Sequence, residues 1–179
     1  MNISIALNSR FKHCASVFAV LFFLGGCSHH YVPNSSTFTL DAISEFSSTN
    51  TISLVNAQTS TNDVLFATNG GHKFYVNLQS WTDTAIEITQ RELTQRGMNI
   101  VKGEPKSLKL SINTVKGTFG FWVLHCELKL KVETSEGYVK TYSGDNRSPA
   151  TLYRAADGAV MRAVTEMLRD NEIIEFLKK

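Results

Sequence analysis

The sequence predicts an α+β fold: a two-layer domain with two main helices packed on one face of a mainly antiparallel sheet. Three observations predict it. Apolar residues recur at every second position over 108–112 and 124–132, the period of half-buried strands. Two other stretches, 80–96 and 149–167, carry apolar residues at helical spacing. The order strand, helix, several strands, helix then favours helices gathered on one side of a sheet.

Taken in order, a first strand is expected over 51–57, where Ile52, Leu54 and Asn56 share a face. The stretch 58–73 is polar and contains Asn69-Gly70-Gly71, a turn signal because Asn and Gly tolerate positive φ. Phe74-Tyr75-Val76 is expected to be a short extended segment leading into a helix. That helix is expected to be capped by Ser80, with Asp83 three residues later as a weak capping-box partner. Trp81, Ala85, Ile86, Ile88 and Leu93 form its broad buried face. Arg96 lies in its last turn and Gly97 suits a left-handed stop.

The period then changes to two. Leu108, Leu110 and Ile112 alternate with polar neighbours. Leu124, Cys126, Leu128, Leu130 and Val132 alternate with His125, Glu127, Lys129 and Lys131. Glu136-Gly137 supplies a turn, and 138–142 is expected to return antiparallel. Ser148-Pro149 is expected to open the second helix, with proline at its first position. Leu152, Ala156, Ala159, Val160, Ala163, Val164 and Met167 make its inner face. Asp170-Asn171 breaks the chain before a short terminal turn that tucks Phe176 against the core.

The N-terminus has a different character. Arg10 and Lys12 precede a mainly apolar run of about 11 residues over 14–24, far short of the ~20 needed to span a bilayer as a helix. The run ends in Leu24-Gly25-Gly26-Cys27. A large aliphatic residue, two small ones and a cysteine resemble the bacterial lipobox. Residues 1–26 are therefore expected to be a lipoprotein signal peptide, cleaved between Gly26 and Cys27, with Cys27 the lipid-bearing first residue of the mature chain. Small residues admit the extended chain to a peptidase, and the thiol accepts a diacylglycerol. Each buried methylene contributes about 0.8 kcal/mol, so several acyl chains together anchor a protein stably. Serine rather than aspartate after the cysteine points, in a two-membrane cell, to the periplasmic face of the outer membrane. Residues 27–50 are rich in Ser, Thr and Asn and are expected to form the lipidated N-terminus and a flexible tether, with a short ordered piece near 38–46. Residues 51–179 are expected to be a compact α/β periplasmic domain.

Charge and cysteine content narrow the function. Of the 18 Lys and Arg residues, Arg10 and Lys12 leave with the signal, so the mature chain carries 16 basic residues against 16 acidic ones. A nucleic-acid partner is not expected, since phosphate neutralisation needs a basic excess. Cys14 also leaves and Cys27 is alkylated, so Cys126 stands alone and no internal disulfide is expected.

No catalytic, metal or cofactor site is expected. Cys126 lies on the apolar face of its strand, where a thiol behaves as a small hydrophobe, and neighbouring His125 points to the other face. His29-His30 offers only two ligands on a tether, and His72 stands alone in a loop. Asp83, Glu87 and Glu92 share the first helix, where Glu87 and Arg91 have salt-bridge spacing. Neither Gly70-Gly71 nor the glycines at 117 and 120 carry a phosphate-binding motif. One cluster stands apart: Phe119, Phe121 and Trp122, flanked by Gly117 and Gly120. These rings either cover an end of the core or project from a hairpin tip to grip a partner or lipid.

Several of these stretches resemble the YajG family of bacterial outer-membrane lipoproteins. The resemblance rests on the lipobox, on Thr94-Gln95-Arg96-Gly97, on Ser107-Leu108-Lys109-Leu110-Ser111-Ile112, and most on the closing Asp170, Ile173, Glu175, Phe176, Leu177 and Lys178. It departs at 117–123, which is more aromatic here. The resemblance implies an envelope lipoprotein and no particular chemistry. The expected function is a non-enzymatic envelope module, held by its lipid, that binds a protein or glycan partner. The alternatives are an accessory factor in lipid or lipopolysaccharide assembly and an activator of a peptidoglycan enzyme.

Overall fold

The computed structural model describes residues 26–35, 43 and 46–179. The expected signal core over 14–24 and most of the ordered piece expected near 38–46 lie outside them.

The chain is an α+β domain. Its strands are β1 (Ser28–His30), β2 (Thr51–Asn56), β3 (Asp63–Asn69), β4 (His72–Asn77), β5 (Asn99–Ile100), β6 (Ser107–Phe119), β7 (Leu124–Thr134) and β8 (Val139–Ser148). Its helices are α1 (Leu78–Gln95), α2 (Leu152–Leu168) and the short α3 (Asn171–Lys178). The main sheet runs β5-β2-β6-β7-β8, and a three-stranded sheet runs β1-β4-β3. In the main sheet the long β6–β7 and β7–β8 ladders are antiparallel, while β2 lies parallel to both β5 and β6.

The main sheet has one dry face and one wet face. Leu108, Leu110, Ile112, Cys126, Leu128, Leu130 and Val132 are buried together. On the opposite face Lys109 meets Glu133 at 3.5 Å and Lys129 meets Glu127 at 3.6 Å. Exposed pairs of this kind add little stability and keep the face solvated. A bulge explains why the alternation over 108–112 fades. The β6–β7 register shifts between Ile112 and Thr114, so Asn113 is an extra residue. Even positions face the core before it. After it odd positions do, and Val115, Gly117 and Phe119 lie opposite Leu128, Cys126 and Leu124.

The small sheet is a departure from the single sheet expected. Its β3 lies in the stretch read as polar, and a register shift between Leu65 and Ala67 turns both Phe66 and Ala67 inward. Gly117 makes room for it: a Cβ there would sit 2.7 Å from the Phe66 ring. Phe66 in turn packs edge-on against Trp81, 5.5 Å between centroids.

Both main helix starts also differ from expectation. The α1 cap is Asn77, whose side chain accepts from Ser80 N at 3.1 Å, so Ser80 lies inside the first turn. An amide at the last strand residue caps the helix directly. The other end stops as expected, with Gly97 at φ 88°. The α2 cap is Thr151, accepting from Arg154 N at 3.1 Å. Pro149 lies outside the helix, in a turn where Ser148 Oγ accepts from Ala150 N at 3.2 Å.

The segment read as a flexible tether contacts the domain at several of its described residues. Tyr31 and Pro33 engage α1, Ile43 and Phe46 are buried, and Ser48 N donates to Arg96 O at the end of α1. Asn50 Nδ2 donates to Leu177 O at 3.1 Å, tying the segment to α3. Ser48 and Asn50 read as solvated, but their side chains satisfy main-chain carbonyls at the end of α3, which also needs Ser and Asn.

The junction of α2 and α3 is built on one carboxylate. Asp170 caps α3 through Glu172 N (2.9 Å) and accepts from Tyr138, Tyr142 and Lys140 of the hairpin below. Its side chain is 7% exposed. Burial alone would raise its pKa, but the hydrogen bonds from Lys140, Tyr142, Glu172 N and Tyr138 outweigh that and hold it at about 2. A depressed acid stabilises the fold above its unfolded value, and that contribution disappears as pH falls towards the folded value. Asp170→Asn is therefore expected to cost about 2 kcal/mol at pH 7, a gap that closes as pH falls from about 5 to 2. Urea melts of both proteins across that range check this; a constant gap would contradict it.

Candidate functional site

The residues nominated for function gather at one end of the domain. Cys27 is exposed and immediately precedes β1. Its carbonyl accepts from Lys73 N at 2.9 Å, continuing the parallel pairing of Ser28, His29 and His30 with Lys73, Phe74 and Tyr75. Gly26 lies against the β3–β4 turn, where a Cβ would come 2.4 Å from Gly71 O. Cleavage after Gly26 would leave the amine and thiol of Cys27 side by side at the sheet margin.

From Cys27 onward the backbone is held. Tyr31 N donates to Tyr75 O at 3.2 Å, and Trp81 Nε1 donates to Tyr31 O at 2.9 Å. The Tyr31 ring stacks on Tyr153 of α2, 4.3 Å between centroids, and its hydroxyl donates to Asp157 Oδ1 at 2.5 Å. Burial first, and then the adjacent carboxylate, push the Tyr31 phenol far above its usual range. It stays a neutral donor. Asp157 also accepts from Asn34 N at 3.0 Å, and Thr84 Oγ1 donates to Pro33 O at 3.2 Å.

The three aromatic candidates divide. Phe119, the last residue of β6, is half-buried, with its ring 5.3 Å from that of Phe74. Phe121 and Trp122 occupy the β6–β7 turn and are 89% and 80% exposed. Their rings meet edge to face at 4.7 Å. The turn closes through Gly120 N to Val123 O at 3.0 Å, and a Cβ on Gly120 would come 2.6 Å from that oxygen. The tip is therefore tight, and it presents two large rings to solvent. Burying such side chains against a partner or lipid contributes about 1.5–3 kcal/mol each, and they remain unburied here.

A stack joins the two features. His29 lies 4.8 Å from Phe74, whose ring then meets Phe119. His72 also stacks on His29 at 5.2 Å, with His29 Nε2 and His72 Nδ1 3.0 Å apart. These histidines lie 43 positions apart in the sequence, and the parallel β1–β4 pairing brings them together. His30 turns away to Asp63, 3.0 Å from its carboxylate.

The remaining titratable candidates sit elsewhere. Cys126 is fully buried on the dry face. Burial, reinforced by Asp145, Asp157 and Glu127, pushes its thiol up to about 12, so the neutral thiol is favoured. His125 lies on the wet face, Nε2 2.8 Å from Asp145. On α1, Asp83 accepts from Asn56, and Glu92 pairs with Arg96 at 2.8 Å. Among the described residues no three His, Cys, Asp or Glu side chains are grouped to hold a metal ion, and no helix is long and apolar enough to cross a membrane.

Comparison with known proteins yields a distant structural likeness. No family model matches the chain, and no curated protein does. Among solved structures it is similar to protein XCC0632 from Xanthomonas campestris, a DUF330 protein. The two share 14% identity at a TM-score of 0.44, over 84% of this chain and 94% of that one. The likeness assigns neither family nor role. What the site can do rests on its own geometry: an exposed thiol and an exposed pair of rings at one end of a firmly packed domain.

Proposed function

We propose that this chain is an envelope lipoprotein: cleaved before Cys27, acylated there, and held at the periplasmic face of the outer membrane as a non-enzymatic binding module. The observation that carries the reading is the position of Cys27. It follows Leu24-Gly25-Gly26, it is exposed, and the packed chain begins one residue later. An acyl-bearing residue must satisfy two opposing demands, access for the modifying enzymes and a short connection to folded structure. Cys27 meets both. The burial and protonation of Cys126, with His125 on the opposite face, favour binding over thiol chemistry. The closing motif and the lipobox, which resemble the YajG family, support the same placement.

The test is expression of the full chain in a two-membrane bacterium, followed by membrane fractionation and mass spectrometry of the N-terminal peptide. The expected peptide begins at Cys27 and carries several acyl chains, and the protein sediments with outer membranes. Cys27→Ala is expected to abolish acylation and remove the protein from that fraction. A mature N-terminus elsewhere, or an unmodified Cys27, would defeat the reading.

A further inference from the structure

We propose that the β6–β7 tip is a second membrane contact: Phe121 and Trp122 enter the interface of the leaflet that holds the acyl chains of Cys27, and so fix the orientation of the domain on the bilayer. The inference rests on the lipoprotein reading and adds a site, an occupant and a geometry to it.

Position is the first support. Cys27 and the tip leave the domain at the same end. His29, two residues and about 7 Å of strand beyond Cys27, stacks on Phe74, and Phe74 meets Phe119, the residue before Gly120. The Cys27 carbonyl accepts from Lys73 N beside the β3–β4 turn, and Asn69 and Gly70 of that turn share a surface hollow with Lys116 and Phe119. The anchor, this turn and the tip thus form one continuous surface.

Lack of slack is the second support. A long flexible tether would let the domain tumble, and no face would be set against the membrane. Here Cys27 is already hydrogen-bonded to Lys73, and Ser28–His30 is already strand. Acyl chains on Cys27 bring this end of the domain to the headgroups, and the exposed rings come with it.

Chemistry is the third. Tryptophan and phenylalanine favour the membrane interface, where an apolar body enters the acyl boundary and the indole N–H keeps a polar partner. The exposed cations around this end suit anionic phospholipid. Lys73 adjoins Cys27, Lys116 borders the hollow, and Arg147 lines the flank of the tip beside Gly120 and Val123. Of the nearby carboxylates, Asp145 is engaged by His125 and Glu127 by Lys129. Basic residues at a membrane surface contribute about 1 kcal/mol each towards anionic lipid. Two rings, three cations and a covalent anchor facing one way describe a bilayer surface better than a protein groove.

The protein carries two tryptophans, and Trp81 is fully buried. The difference between wild type and Trp122→Phe therefore isolates the emission of Trp122. Acylated protein is reconstituted into vesicles of phosphatidylethanolamine and phosphatidylglycerol, with and without brominated acyl chains. The expected result is a blue shift of Trp122 emission, strong quenching by the brominated chains, and loss of quenching by aqueous iodide. Phe121→Ser/Trp122→Ser should keep acylation and fold, both read on the same sample, yet lose the domain's fixed orientation in neutron reflectometry. Acylated protein whose Trp122 remains open to iodide and untouched by bromine overturns the proposal and leaves the anchor standing. A photo-crosslink from position 122 to a protein instead of lipid in intact envelopes overturns it too. An unmodified Cys27 removes the anchor reading itself, and mass spectrometry of the same preparation separates that outcome from the others.

Discussion

Gly144→Val is expected to leave the protein without a stable fold. Gly144 sits on the dry face of β8, opposite Leu128, and a Cβ there would lie 1.9 Å from the carbonyl oxygen of Ala159 and 2.8 Å from its carbon. The obstacle is helix backbone, which cannot rotate aside as a side chain would. Relief requires α2 to lift from the sheet. The facing surface of α2 is built for close approach, with Ala155, Ala156, Ala159 and Ala163 all fully buried. Overpacking a well-filled core costs about 1–3 kcal/mol and sometimes more. A backbone clash against an entire helix belongs at the upper end even for Gly144→Ala, and valine adds two methyl groups to it. Domains of this size are stable by only about 5–15 kcal/mol. Urea unfolding followed by far-UV circular dichroism checks the prediction, with Ser143→Ala next door as the control, expected within about 0.5 kcal/mol of wild type. A cooperative Gly144→Val transition at the wild-type midpoint would show that α2 does not approach β8 this closely.

Trp81→Ala is expected to cost about 3–5 kcal/mol, the range for emptying a buried aromatic site. Trp81 is fully buried, with Phe66 of β3 on one side and Tyr31 edge-on 6.4 Å away. It holds three parts of the domain together: α1, the small sheet and the N-terminal segment. Loss of the indole N–H also leaves Tyr31 O without its donor. The damage should therefore be uneven. Amide exchange over 28–35 is expected to accelerate more than exchange in β7, because β7 keeps both ladder partners. Trp81→Phe retains most of the volume but drops the hydrogen bond and should cost about 1–2 kcal/mol. Uniform acceleration throughout the chain would argue against this local role.

What was legible in the sequence is what carried strong periodic contrast. The alternation of β7 is uninterrupted, α1 pairs a clear apolar face with a glycine stop, and the break at Asp170 marks the start of α3. Where local signals were weak, tertiary packing decided the structure. The second half of β6 is concealed by the parity switch at Asn113, and β3 by the shift beside Phe66. The dry face of β8 reads Tyr142, Gly144, Asn146, which looks like loop. Its small and polar residues are there because α2 lies so near: Asn146 Nδ2 donates to Arg154 O and Ala155 O, and a Cβ on Gly158 would strike that same amide. The site shows the same division. Cys27 and the ring cluster at 119–122 stand out as residue types in the sequence. That they share one end of the molecule depends on β1 pairing parallel with β4, a contact between residues more than forty positions apart.

The parallel seam between β1 and β4 would also set how the molecule responds to mechanical load. If a bilayer holds Cys27 and a bound partner pulls on the far side of the domain, tension runs along the axis of β1. The strand is then sheared past its neighbour, so its rungs resist together rather than opening one after another. Behind them stand the Tyr31–Asp157 bond and the tyrosine stack on α2, which bear the strain once the seam slips. An attachment of that kind would pass force from Cys27 through the seam to α2, so the load the linkage could bear would be set by β1 and the contacts behind it.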